Sequence, residues 1–420
     1  MEKLEKFLDE SKTAYQACEN AAKILKDNGF SELDENKKWN PEKGGKYFTV
    51  RDGSALIAFK VGEKSGFNIV ASHADSPCFK IKLNPEIKVE NYFKFNVERY
   101  GGGIFYSFLD RPLSVAGRII IEKDGVIQAK NFVSEKTFVI PSVAIHFNRD
   151  VNNALKLNPQ TDMSPIEDVL KGGGLEKEIN AFADGAKVRD CDLFLVSAEK
   201  PFLSGYSDSL LSAPRIDNLT SVLSSVEALI NCSPASTATA FIADNEEVGS
   251  ATKQGAGSQF LADTIERICL ATGRDVYSAL ANSFMVSDDN AHAVHPNHPE
   301  LSDPTNKVLL GGGIVIKHHA NQNYTTDAFS SSVLKSVFDR AGVKYQDFFM
   351  RSDLPCGGTL GAISSKNVSV RSVDIGLAQL AMHSAVETMC LSDYAEAVKG
   401  LTAFYNCALT TDGYGKVIIG

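Results

Sequence analysis

Residues 237–250 read TATAFIADNEEVGS, an apolar, β-branched run that ends abruptly in acids. Carboxylates at the C-terminal end of a buried strand are costly unless a cation, a water-filled cleft or a helix N-terminus receives them. In open α/β sheets that strand end is where ligands bind. Adjacent Glu246 and Glu247 suit two jobs: one ligates a metal, and its neighbour, not ligating, takes a proton from the water activated there. Alone, such a pair is more often a solvated helix start, where acids are favoured anyway. The rest of the chain shifts the balance. It has only eight histidines, at 73, 146, 292, 295, 298, 318, 319 and 383. His73 and Asp75, Asp217, the Glu246–Glu247 pair and the Asp288–Asp289 pair all fall at ends of predicted strands or starts of predicted helices. In His73-x-Asp75 the imidazole can ligate while the carboxylate fixes its orientation. His383 lies in a later stretch that reads as helix. His and carboxylate donors suit zinc, cobalt or manganese, with zinc the commonest. Spacing alone does not choose between Asp288 and Asp289.

Other candidates carry less chemistry. His295 and His298 stand beside prolines and read as loop histidines. His318 and His319 are adjacent on a predicted strand end, so at most one faces any site. Cys78 and Cys356 read as small packing residues.

The elements that must position these residues follow from periodicity. Residues 4–28 carry apolar positions at helical spacing, with Gly29 as the expected C-cap. Strands are predicted at 46–50 and 55–61, joined by an Asp52-Gly53 turn, and at 68–71. From 81 to 205 short alternating segments dominate, at 87–89, 92–97, 113–121, 126–129 and 192–196, with 150–180 reading as a loop-like passage. Helix–strand alternation resumes at Arg215. Helices are expected at 222–230, 260–268, 377–389 and 394–409, and strands at 237–243, 283–286, 308–316, 345–350 and 368–373. The implied fold is α/β, a mainly parallel sheet flanked by helices, with an inserted β-rich domain. Residues 1–84 and 213–420 would form the catalytic domain and 85–212 the insert.

Length and composition bound the function. A chain of 420 residues suggests two domains or one core with an insertion. A net charge of −9 and a pI near 5.5 argue against a nucleic-acid partner. No apolar run reaches the ~18 residues a membrane helix needs. The charged start MEKLEKFLDESK has no signal-peptide core, and eight scattered cysteines without CxxC pairing read as reduced thiols. The expectation is a cytoplasmic protein whose metals are held by His and carboxylates.

Taken together, residues 72–78 (SHADSPC), 100–103 (YGGG), 110–113 (DRPL), 140–146, 213–219 (APRIDNL), 244–250 (DNEEVGS), 289–297 (DNAHAVHPN), 355–357 and 379–384 (QLAMHS) resemble the aspartyl aminopeptidase family, within the two-metal aminopeptidases. The resemblance runs almost end to end. It implies that His73 and Asp289 hold one metal, Glu247 and His383 the other, and that Asp217 bridges them. It implies Glu246 as general base and Asp75 as support for His73. It places His146 on an insert loop reaching a neighbouring subunit's active site, with His292 and Lys317 beside the substrate. It also implies a cis peptide at Asp217–Asn218 and a tetrahedral assembly of twelve subunits.

The function so implied is a dinuclear aminopeptidase, with Zn2+ expected and Co2+ or Mn2+ as alternatives, acting on peptides with a free N-terminus. If Lys317 faces the pocket, acidic first residues are its natural partners. The rivals are an N-acyl amino-acid deacylase or related amidohydrolase, which would need a cation such as Arg351 or Lys317 for a free carboxylate, and a non-catalytic metal-loaded scaffold.

Overall fold

Strand Thr237–Ala243 sits inside the central sheet of the computed structural model, which describes residues 2–412 and 415–420. Its neighbours explain the position of the acids. It runs parallel to Phe67–His73, which runs parallel to Phe284–Asp288, which runs parallel to Arg371–Gly376. Ala243 lies opposite His73, and Asp288 opposite Ile375. Parallel register therefore brings His73, the 244–247 acids and Asp288–Asp289 to one sheet edge, where the polar ends of apolar strands reach a cleft.

The full sheet has nine strands among the described residues. Ser31–Glu32, Lys46–Arg51 and Ala55–Lys60 extend one side, and Ile314–His318 and Tyr345–Phe349 the other. The hairpin strands and the pairing of Ile314–His318 with Arg371–Gly376 are antiparallel or mixed, so the sheet is mainly, not wholly, parallel. Its inner strands are buried on both faces and alternate between two cores. Ala238, Ala240, Ile242, Val70 and Val286 meet helices Ile216–Asn231 and Leu391–Asn406. Phe241, Ile69 and Met285 meet helix Phe260–Thr272 on the other side.

The middle of the chain builds a separate antiparallel sheet from Val126–Val133, Leu113–Lys123, Lys187–Ser197, Cys78–Val89, Tyr92–Tyr100 and Ile166–Asp168. It has its own core, including Phe79, Phe95, Ile119, Phe132 and Leu195. A smaller sheet joins Phe202–Ser204 and Leu210–Ala213 to Glu387–Cys390, Ala378–Leu380 and Ala291–His292. The fold is thus mixed α/β with an additional β-rich unit. Among the described residues no helix is long and apolar enough to cross a membrane.

Several local expectations fail for physical reasons. The 377–389 segment is not helical. It forms strands Ala378–Leu380 and Glu387–Cys390, and His383 lies on the loop between them with φ +67°. Pairing with Leu210–Ala213 overrides its helix-like spacing. The 4–28 helix is two helices, Glu2–Glu10 and Ala14–Asp27, and the C-cap is Asn28, with Gly29 next in the left-handed region. The 150–180 passage contains helices Pro159–Asp162 and Gly174–Phe182 and a short strand. Strands expected at 308–316 and 368–373 start later, at Ile314 and Arg371.

Candidate metal and active site

His73 ends its strand with only 1% of its surface exposed. Its Nδ1 lies 3.0 Å from the Asp75 carbonyl oxygen. A carbonyl only accepts, so Nδ1 carries the hydrogen and Nε2 faces inward as the free donor atom. Nε2 is 3.6 Å from Asp289 Oδ1 and 4.0 Å from Asp217 Oδ1. His383 is set the same way. Its Nδ1 meets the Gly102 carbonyl at 3.1 Å, and its Nε2 lies 3.1 Å from Asp217 Oδ2 and 3.3 Å from Glu247 Oε1. Three groups have ligand atoms within 4.8 Å of one another: the triads His73–Asp217–Asp289 and Asp217–Glu247–His383, which share Asp217, and His73–Glu246–Glu247. Of the adjacent acids, Asp289 enters a triad. Asp288 turns beside Ser221, and burial pushes its carboxyl up to about 7. A Cβ at Gly376 would collide with the Asp289 carbonyl oxygen, so only glycine lets that strand approach so closely. The Asp217–Asn218 peptide is cis.

The charges fit divalent cations. Carboxylates of Asp75, Asp217, Glu246, Glu247 and Asp289 converge, and the nearest lysine is Lys317, 3.8 Å from Asp289. Two dications would bring such a cluster close to neutral. Among the described residues Asp217 Oδ1 and Glu247 Oε1 are buried without a hydrogen-bond partner, so lone pairs point where cations would sit. The protein alone meets the charge by holding protons. Burial works against a charged His383, yet the Asp217 and Glu247 carboxylates win and raise it to about 11. Burial likewise opposes the charge on His73, and the Asp289 and Asp75 carboxylates again outweigh it. Burial pushes Asp289 up, but Lys317 and His73 hold it below the usual carboxylate range. Glu246 is pushed up to about 8, first by burial and then by Asp289 and Glu247 against the pull of His73.

Asp75 does more than face His73. Its Oδ1 accepts the Glu246 amide at 3.0 Å, and its Oδ2 accepts the Glu247 amide at 3.1 Å and the Tyr100 hydroxyl at 2.8 Å. One carboxylate therefore fixes the turn that carries both glutamates. Gly101, at φ +70°, brings the chain against Glu247. Tyr100 and Gly102 thus deliver groups from the β-rich unit to the edge of the central sheet. Tyr100→Phe removes the donor to Asp75 and the acceptor for Asn245. Activity is expected to fall about tenfold with unfolding temperature nearly unchanged, as for other groups that orient metal ligands. Steady-state kinetics beside a melting curve checks this.

The remaining candidates are dispersed. Lys317 is buried within the sheet, not on an edge. Its ammonium donates to the Asn290 carbonyl at 3.1 Å and lies 5.1 Å from the Tyr324 ring. The His292 ring lies 6.4 Å from that of Phe348; the protein around it and the Lys317 charge lower its pKa. His146 is exposed in the 141–150 segment with no hydrogen bond or ion pair among the described residues. His318 pairs with Asp347, and Arg351 with Asp353, away from the triads. Glu387 was missed by sequence reasoning. It is 2% exposed and accepts the backbone amides of Asp217 and His383.

A family profile described as "Aminopeptidase I zinc metalloprotease (M18)" matches residues 7–405. A protein named "Probable M18 family aminopeptidase 2" from Clostridium acetobutylicum is 43% identical over 425 residues, covering 96% of this chain and 98% of that protein. Among solved structures, one titled a complex of Ape4 and Nbr1 superposes with a TM-score of 0.90 at 32% identity, covering 96% of this chain and 84% of that one. A structure titled the S. cerevesiae mApe1 dodecamer gives 0.84 at 26% identity, with 96% and 95% covered. The chain belongs to the M18 family of zinc metalloprotease aminopeptidases.

Proposed function

We propose that this chain is a cytoplasmic, two-cation aminopeptidase releasing single N-terminal residues from peptides. The observation that carries the reading is the pair of triads sharing Asp217, with Glu246 beside them. His73, Asp217 and Asp289 would hold one cation, and Asp217, Glu247 and His383 the other, most naturally Zn2+, with Co2+ or Mn2+ also suited to these donors. Bound there, the pair would polarise the scissile carbonyl and lower the pKa of a water. Glu246 takes that water's proton and passes it to the departing amine. Asp75 holds Glu246 and Glu247 in register through their amides. His292 would sit beside the substrate, and Lys317, which lies 3.8 Å from Asp289, would be the cation for an acidic first residue.

In this reading residues 1–84 and 213–420 form the catalytic unit and 85–212 the insert that mediates assembly. The neighbour titled a dodecamer supports an assembly of twelve subunits here, for which we propose tetrahedral symmetry. His146 would then serve a neighbouring subunit's cleft, and the exposed Val143, Ile145 and Phe147 around it suit a subunit contact.

The test pairs chelation with substrate choice. Removing metal by a strong chelator is expected to abolish activity, and Zn2+ or Co2+ to restore it. Free amino-acyl anilides should be cleaved and N-acetylated ones not. Asp and Glu anilides should exceed Leu and Lys. Cleavage of N-acetyl amino acids with a free carboxylate, and not of the anilides, would assign a deacylase instead, and a metal-loaded protein inert on all of them a scaffold.

A further inference from the structure

We infer that Glu387 is a positioning residue that sets the geometry of the Asp217–Glu247–His383 cation site by clamping the backbone amides of two of its ligands. Its Oε2 accepts the Asp217 amide at 2.8 Å, and its Oε1 the His383 amide at 2.6 Å. These ligands come from different segments, one at the start of helix Ile216–Asn231 and one on the 380–387 loop. A single carboxylate therefore joins the backbones of two ligands whose flanking strands, Leu210–Ala213 and Glu387–Cys390, pair antiparallel. Glu387 suits the role because its carboxyl offers one accepting oxygen for each amide.

The clamp extends further. The Gln379 amide donates to Glu387 Oε1 at 3.4 Å, and Gln379 Oε1 accepts from Asn290 at 3.0 Å. Asn290 also donates to the Ile216 carbonyl and accepts the Leu377 amide. Glu387, Gln379 and Asn290 are each at most 3% exposed. Through this network the segments bearing Asp217, Asp289 and His383 are tied together, but only Asp217 and His383 are held by Glu387 itself. The His73 site has its own support from Asp75, which does not touch Glu387. The two sites should therefore respond unequally to a change at 387.

This inference rests on the two-cation reading. Its test is calorimetric titration of Co2+ into the metal-free full-length protein, with visible absorption reporting the ligand field at each step. Glu387→Gln keeps shape and volume but turns one acceptor into a donor that faces an amide. It is expected to weaken one Co2+ step about 10–100-fold and the other less, because His383 belongs to one site while Asp217 belongs to both, with an altered spectrum for the weakened step. Glu387→Asp keeps the charge but reaches one amide only; it should fall between the two and serves if the Gln variant does not fold. Two unchanged steps, or two steps weakened equally beside a lowered melting temperature, would overturn the clamp and leave Glu387 a core residue. If the unsubstituted protein takes fewer than two ions, the two-cation reading fails on that result alone.

Discussion

Glu246→Gln is expected to leave metal content at two ions per subunit and to lower kcat about 10²–10⁴-fold, the span for loss of a general base. That corresponds to roughly 3–5 kcal/mol of transition-state stabilisation. Gln keeps the side chain's volume and its hydrogen-bonding oxygen but cannot take a proton. The Glu246 amide, which Asp75 accepts, is untouched by the change, so the turn should stay in place. The outcome also resolves an ambiguity in the geometry. A Glu246 carboxylate oxygen lies within 4.8 Å of ligand atoms from His73 and Glu247, close enough to ligate. If Glu246 were a ligand and not a base, the Gln variant would lose metal along with activity. Elemental analysis beside steady-state kinetics separates the two. Full turnover in the variant would remove the proposed proton route altogether.

The sheet edge was legible because its cause is local. Apolar runs at 68–71, 237–243 and 283–286 each end in acids or histidine, and the parallel register turns that shared feature into a cluster. Asp289 was separable from Asp288 only by resemblance, since alternation along a strand tells which faces are opposite, not which one faces a cleft. The His383 segment misled for a different reason. Residues 377–389 have helix-like spacing, but Glu387–Cys390 pairs with Leu210–Ala213, over 170 residues away, and Ala378–Leu380 with Ala291–His292. No local pattern encodes such a partner. Glu387 and the carbonyl of Gly102 were hidden for the same reason, because their value lies in where distant backbone groups arrive.

Asp217→Asn should be more damaging than any other single ligand change. His383→Ala would remove one triad and leave His73, Asp217 and Asp289 able to hold an ion. Asp217 belongs to both, with Oδ1 toward His73 and Oδ2 toward His383. An amide offers one oxygen and no charge, so one side must lose its donor and both lose the shared negative charge. Metal content is expected to fall below one ion per subunit, and kcat/KM by at least about 10³-fold, since the several kcal/mol supplied by the metal pair are forfeited. The Asn variant should stay folded, because Glu387 binds the backbone amide at this position, not the carboxylate. Circular dichroism of the metal-free protein checks that point, and elemental analysis the rest. If Asp217→Asn retains two ions while His383→Ala retains none, the carboxylate is not shared and the two triads do not describe the site.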